Sequence, residues 1–226
     1  MTDRAGSEAV PLRTPSRPSG ARPFDALPRA AVICGVAILA LASVVCVMTG
    51  LPPYMLTRDP AAIAELPPYA GFLSYLAVLS WAGAFFTAAF AASACRDVRD
   101  APGFFGSIAV LSLVLCSDDL FMIHEHSPIP EQFLFLGYGI AAVWIGYRHA
   151  LVFRSVPLGY LGLTVGCLAA SLGVDALQGP IEAILGETRI LLEDGAKLVG
   201  AIAWYAFVFT AARVLVPSRE AEGHGA

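Results

Sequence analysis

Stretches of about twenty consecutive, almost wholly apolar residues limit this chain more than any other feature, because each is long enough to cross the roughly 30 Å hydrocarbon layer of a bilayer. They fall at 30–51, 69–95, 104–126, 132–153, 158–177 and 190–214. Backbone polar groups find no water inside a bilayer, so such runs must satisfy them internally, and a helix does so within a single segment. The pattern predicts an all-α, six-transmembrane-helix bundle. Composition agrees: 57% of the 226 residues are hydrophobic and 14% are charged, against about 25% charged in soluble domains. The expected domain order is a disordered tail at 1–28, a membrane domain at 29–216 and a short tail at 217–226. The first tail is rich in Arg, Pro, Ser and Gly and has too few apolar residues to bury a core.

The basic residues orient the bundle. Arg4, Arg13, Arg17, Arg22 and Arg29 precede the first run; Arg96 and Arg99 follow the second; Arg148 and Arg154 flank the end of the fourth; Arg213 and Arg219 follow the sixth. The opposite ends carry Arg58, Arg189 and Lys197. Positive charge is retained on the cytoplasmic side, so both termini are expected in the cytoplasm, with the chain in a cytoplasmic (inner) membrane. The lipid bilayer is the expected partner. No basic patch points to nucleic acid, and no glycine-rich phosphate loop is present.

Local punctuation divides the runs. Asp59 reads as the cap of a short helix beginning at Pro60, "RDVRDAPG" as a tight charged turn, and "QGPIEAILGETR" as holding a short interfacial helix from Pro180. "GLTVG" places Gly162 and Gly166 four apart, a spacing that lets a second helix approach closely. Packing within the bundle and a helix–helix partner are both open to it. Cys34, Cys46, Cys95, Cys116 and Cys167 lack paired spacing and read as apolar thiols. Trp81, Trp144 and Trp204 read as packing or interface residues.

Chemistry gathers at the end opposite the arginines. Eleven of the eighteen acids fall there. Asp118 and Asp119 lie about 21 Å along the third run at 1.5 Å per residue, where ionisable groups are costly and turn to a bundle interior or a wet cavity. On a helical wheel continued to His126, Asp118 shares a face with Glu125, and Asp119 with His126, while His124 points elsewhere. Lys197 is the only lysine in the chain. It follows Glu193 by four residues and Asp194 by three, so both acids are expected to reach it along the helix. Those acids also read as first-turn residues, where the helix dipole favours negative charge. Asp175, with Ser171 one turn below, stands as a further ligand.

Carboxylates with imidazole suit a divalent metal, although no compact metal signature such as HExxH is present. The candidate ligands are Asp118, Asp119, His124, Glu125 and Asp175; Glu193, Asp194 and Lys197 are the candidate catalytic group. Three readings stay open: a metal-dependent membrane hydrolase, a small proton- or cation-coupled transporter, and a non-enzymatic sensor or assembly protein with a structural polar network.

"DDLFMIHE" followed by "EDGAKLVGAIAWYAF" resembles a group of uncharacterised bacterial membrane proteins with a DD…HE segment and a later E-(E/D)-x-x-K helix. Glu193, Asp194 and Lys197 resemble the EExxK motif of PrsW-type intramembrane proteases, with Asp in second place; the later motifs of that family do not follow. Asp118 or Asp119 with His124 is similar to the zinc-holding side chains of ceramidase-like membrane hydrolases, whose C-terminal HxxxH is absent. These likenesses imply a membrane-embedded hydrolytic centre.

Overall fold

The computed structural model describes residues 26–58, 60–67 and 69–216, and the chain divides into two compact units at Ala64–Glu65. Every regular element among the described residues is helical. The expected cap Asp59, the side chain of Cys34, the C-terminal tail and most of the N-terminal one lie outside the described residues.

In the first unit, α1 runs over Ala26–Thr49, α2 over Tyr54–Thr57 and α3 over Pro60–Ile63. Helix α1 therefore starts inside the expected tail. It stops at Gly50, whose positive φ of 71° suits a residue without a Cβ and lets its N–H bond back to the Cys46 carbonyl at 3.0 Å. Pro52 and Pro53 follow. The stretch Gly35–Thr49 is apolar and exposes Val36, Leu39, Val47 and Met48, the character of a helix meant for an apolar medium.

The second unit holds α4 (Phe72–Ala94), α5 (Ala101–Phe121), α6 (Ile123–His126), α7 (Glu131–Arg148), α8 (Ala150–Phe153), α9 (Gly159–Ala176), α10 (Gln178–Leu185) and α11 (Thr188–Leu215). Four of these, α4, α5, α9 and α11, are long and apolar enough to cross a membrane. Helix α4 packs between α5 and α11, and α11 also packs along α9. Small residues make this possible: Ala77, Ala84, Ala88 and Ala91 put the α4 backbone close to its neighbours. Phe104, Phe105 and Ile108 from α5 share the fully buried centre with Phe207 and Val208 from α11, and Phe153 of α8 stacks on Phe207 and meets Phe104 edge-on. One polar tie crosses it, the Trp204 indole N–H donating to the Ser112 hydroxyl at 2.9 Å. Helix α7 leans on α5 more loosely.

Several expectations are corrected. The third run does not continue to His126: α5 ends at Phe121, and Met122 takes a left-handed conformation with φ 49° before the single turn α6. The fourth run breaks at His149 into α7 and α8. Helix α11 begins at Thr188, which puts Glu193 and Asp194 in the second turn rather than the first, beyond the strongest reach of the helix dipole. Gly162 and Gly166 do not seat a helix within this unit, since a methyl added to either meets nothing within 4 Å. Close approach occurs instead at Gly200 of α11, where an added Cβ would lie 2.9 Å from the Leu168 side chain of α9. Cys95 is buried, whereas Cys46, Cys116 and Cys167 are half-buried; all four are free thiols.

Candidate functional site

The break at Met122 creates the site. Left-handed backbone is unfavourable for a side chain of this kind, but it returns the chain toward the end of α5. The Asp118 carboxylate then accepts the His124 backbone N–H through Oδ1 at 2.9 Å and meets the His124 ring Nδ1 through Oδ2 at 3.1 Å. The first bond satisfies an N–H that the start of α6 would leave without a partner. Asp118 is 4% exposed, and Tyr138 of α7 lines the same cavity. The helical-wheel pairing of Asp118 with Glu125 is therefore replaced by Asp118 with His124. Glu125 does not join that pair: its side chain is 56% exposed and its Oε1 lies 3.8 Å from His124 Nε2. His126 is exposed, its Nδ1 3.2 Å from the Met122 carbonyl.

Asp119, next in sequence, points to different partners. Its Oδ2 accepts the indole N–H of Trp81 on α4 at 2.8 Å, and its Oδ1 lies 2.6 Å from the ammonium Nζ of Lys197 on α11. The only lysine thus pairs across the bundle rather than along its own helix. Its expected partner Glu193 is taken by Arg189, one turn earlier, at 2.6 Å. Asp194 is half-buried beside them.

These side chains line one cavity of about 710 Å³, whose wall includes Asp118, Asp119, His124, Glu125, Asp175, Glu193, Asp194 and Lys197. Within it, ligand atoms of Asp118, Asp119 and His124 all lie within 4.8 Å of one another. Each carboxylate has one oxygen held by an N–H donor, from the His124 backbone and from Trp81. This is the outer-shell support that orients metal-binding carboxylates. The other oxygens, Asp118 Oδ2 and Asp119 Oδ1, face His124 and Lys197. Asp175, from α9, lines the cavity outside this close group.

Trp81, Tyr138 and Arg189 escaped the sequence reading as site residues. A tryptophan inside an apolar run carries no signal that its N–H faces an acid. Arg189 did carry one, its spacing of four from Glu193, but that spacing competes with the identical one from Glu193 to Lys197.

No curated protein and no solved structure matches this chain. A family model described as a domain of unknown function, DUF8692, matches residues 30–211, which spans α1 through most of α11. This chain belongs to the DUF8692 family.

Proposed function

We propose that this chain is a six-span protein of a bacterial cytoplasmic membrane, with both termini inside, and that its outward polar end is a divalent-metal centre for hydrolysis. Helix α1 and the α7–α8 pair supply the two spans beyond α4, α5, α9 and α11, and the arginine asymmetry orients all six. The observation that carries the chemistry is the convergence of Asp118, Asp119 and His124 within 4.8 Å on the cavity wall. These three residues would hold the metal, and a divalent ion held there would supply the charge that activates a water for hydrolysis. Asp194 is the better-placed base, because the Glu193 carboxylate is engaged by Arg189. Lys197 pairs with the second carboxylate at 2.6 Å and offers positive charge to a developing oxyanion.

Elemental analysis of the purified protein tests this reading. Stoichiometric divalent metal is expected in wild type and in Glu193→Ala, and its loss in Asp118→Ala and His124→Ala. One observation favours the transport reading instead: the Asp119–Lys197 pair at 2.6 Å is a charge pair that a passing proton or cation would open. Wild-type protein free of metal but conducting protons in liposomes would move the assignment there.

A further inference from the structure

The end of α7 away from the polar cavity holds a buried imidazole. His149 stands at the break between α7 and α8 and is 6% exposed. Among the described residues, its ring Nδ1 is the one buried side-chain nitrogen or oxygen without a hydrogen-bond partner. The other ring nitrogen, Nε2, lies 3.4 Å from the Ser107 hydroxyl oxygen on α5. That hydroxyl donates its own proton to the Gly103 carbonyl at 2.9 Å. Its oxygen can therefore only accept, and Nε2 carries the imidazole hydrogen. Nδ1 is left as a bare lone pair out of reach of water. The ring is clamped on α5: Phe104 meets it edge-on at 5.9 Å between centroids, and its Cε1 would stand 3.3 Å from a Cβ at Gly103. The charges that act on it are those of Arg148, exposed and next in the chain, and Asp100, which precedes α5 and pairs with Arg99 at 3.7 Å. Neither side chain bonds to Nδ1. The α5 residues against the ring, Gly103, Phe104 and Ser107, do not titrate, and α8 carries no titratable side chain.

We propose that His149 is a proton-sensitive latch: a proton taken up at Nδ1 frees the ring from α5 and opens the elbow between α7 and α8. The neutral ring costs the fold one unpartnered lone pair. The imidazolium would bury a positive N–H with no acceptor, a far larger penalty. The closed elbow therefore accepts only the neutral ring. Its advantage is complete above the ordinary imidazole pKa of about 6.5 and is lost progressively as the pH falls below it. The elbow is built to yield. The His149 N–H bonds to the Ile145 carbonyl at 3.0 Å, and the His149 carbonyl accepts the N–H groups of Val152 and Phe153 at 2.9 and 3.1 Å, while α7 leans only loosely on α5. The opposite end of α7 lines the polar cavity with Glu131, Phe135 and Tyr138, and the Phe135 ring lies 5.6 Å from that of His124. A swing of α7 at the elbow thus reaches His124 through Phe135. A phenylalanine at 149 would fill the same space without an orphan nitrogen, so packing alone gives no reason for an imidazole there.

Hydrogen exchange of the full chain in phosphatidylcholine nanodiscs, read by mass spectrometry and corrected for the intrinsic pH dependence of exchange, tests the latch. Between pH 7.5 and pH 5.0, which bracket the imidazole pKa of about 6.5, amide protection over 145–155 should fall by about tenfold or more. Protection over 200–212 of α11, in the buried centre, should stay constant. His149→Phe should keep the high protection at both pH values. His149→Leu should do the same and guards against a folding failure of the first variant. His124→Gln should retain the wild-type pH response, which separates the latch from titration inside the polar cavity. Protection over 145–155 that does not change with pH in wild type overturns the proposal. So does a loss at pH 5.0 that persists in both His149 variants, or one that His124→Gln abolishes. None of these readouts requires a bound metal, so failure of the hydrolytic reading leaves the test intact.

Discussion

Two acid pairs, Asp118–Asp119 on α5 and Glu193–Asp194 on α11, look alike in the sequence and differ in the fold. The first pair sits where three helices and a turn converge. Its members are turned to opposite partners, Asp118 to His124 and Asp119 to Trp81 and Lys197. The second pair stands on the second turn of α11, just after the short connection from α10, and its ion pair is local, from Arg189 to Glu193. Adjacent acids on a helix point about 100° apart, so in a crowded bundle they must find separate neighbours. At a less crowded helix end, a residue one turn away suffices. The contrast separates a cluster built by tertiary packing from one built by helix spacing, and substitutions at the two pairs should differ accordingly.

The largest difference should come from the two cations. Lys197→Gln leaves Asp119, whose side chain is 8% exposed, without its counter-charge. Breaking a buried pair by removing one partner costs about 3–5 kcal/mol, and the lower end applies because the Lys197 side chain is 35% exposed. Denaturant unfolding in detergent should show this loss, and Asp119→Asn added to Lys197→Gln should recover part of it. Wild-type stability in the single variant would make the α5 pair no more buried in effect than the α11 pair.

Trp81→Phe sharpens the comparison within the α5 pair. It keeps an aromatic ring in a site 2% exposed but removes the N–H that holds Asp119 Oδ2 at 2.8 Å. A hydrogen bond to a charged group contributes about 1.5–3 kcal/mol. The same change should weaken metal affinity about 10–100-fold if this bond orients a ligand. Titration of the apoprotein with zinc reads that directly, and unchanged affinity would limit Trp81 to packing.

The smallest effect belongs to Arg189→Gln. An exposed i,i+4 pair contributes about 0.3–0.5 kcal/mol; this one, with side chains 14% and 27% exposed, should cost somewhat more, but less than the Asp119–Lys197 pair, and the melting temperature reads the difference. A loss as large as that of Lys197→Gln would show that the α11 acids are also held by the bundle.

Much of the fold was legible because helix formation and apolar length are local properties. The apolar runs placed α4, α5, α9 and α11 within a few residues of their observed positions, and proline and charge clusters separated them. Part of the site was legible for a related reason. Acids inside apolar runs are costly, so Asp118, Asp119 and Asp175 stood out, and the structure puts them on one cavity wall with Lys197. The end of α5 was not legible. Neither glycine nor proline marks Met122, and its left-handed turn is stabilised by a bond from His124 to Asp118 that exists only once the turn is made.

What the sequence by itself determined is the helical class, the apolar lengths and the gathering of acids at one end, all of which follow from the chemistry of neighbouring residues. Tertiary structure alone decided which carboxylate meets which cation and which glycine admits a neighbour. Lys197 has acids three, four and seventy-eight positions away, and local spacing favours the nearer two. The packing of α5 and α11 in one bundle, tied by the Trp204–Ser112 hydrogen bond, brings it to the most distant. Likewise Gly200, not Gly162 or Gly166, lies against a neighbouring side chain, that of Leu168 on α9. Periodicity places a residue on a face of its helix, but only the packing of large and small side chains across an interface settles what that face meets.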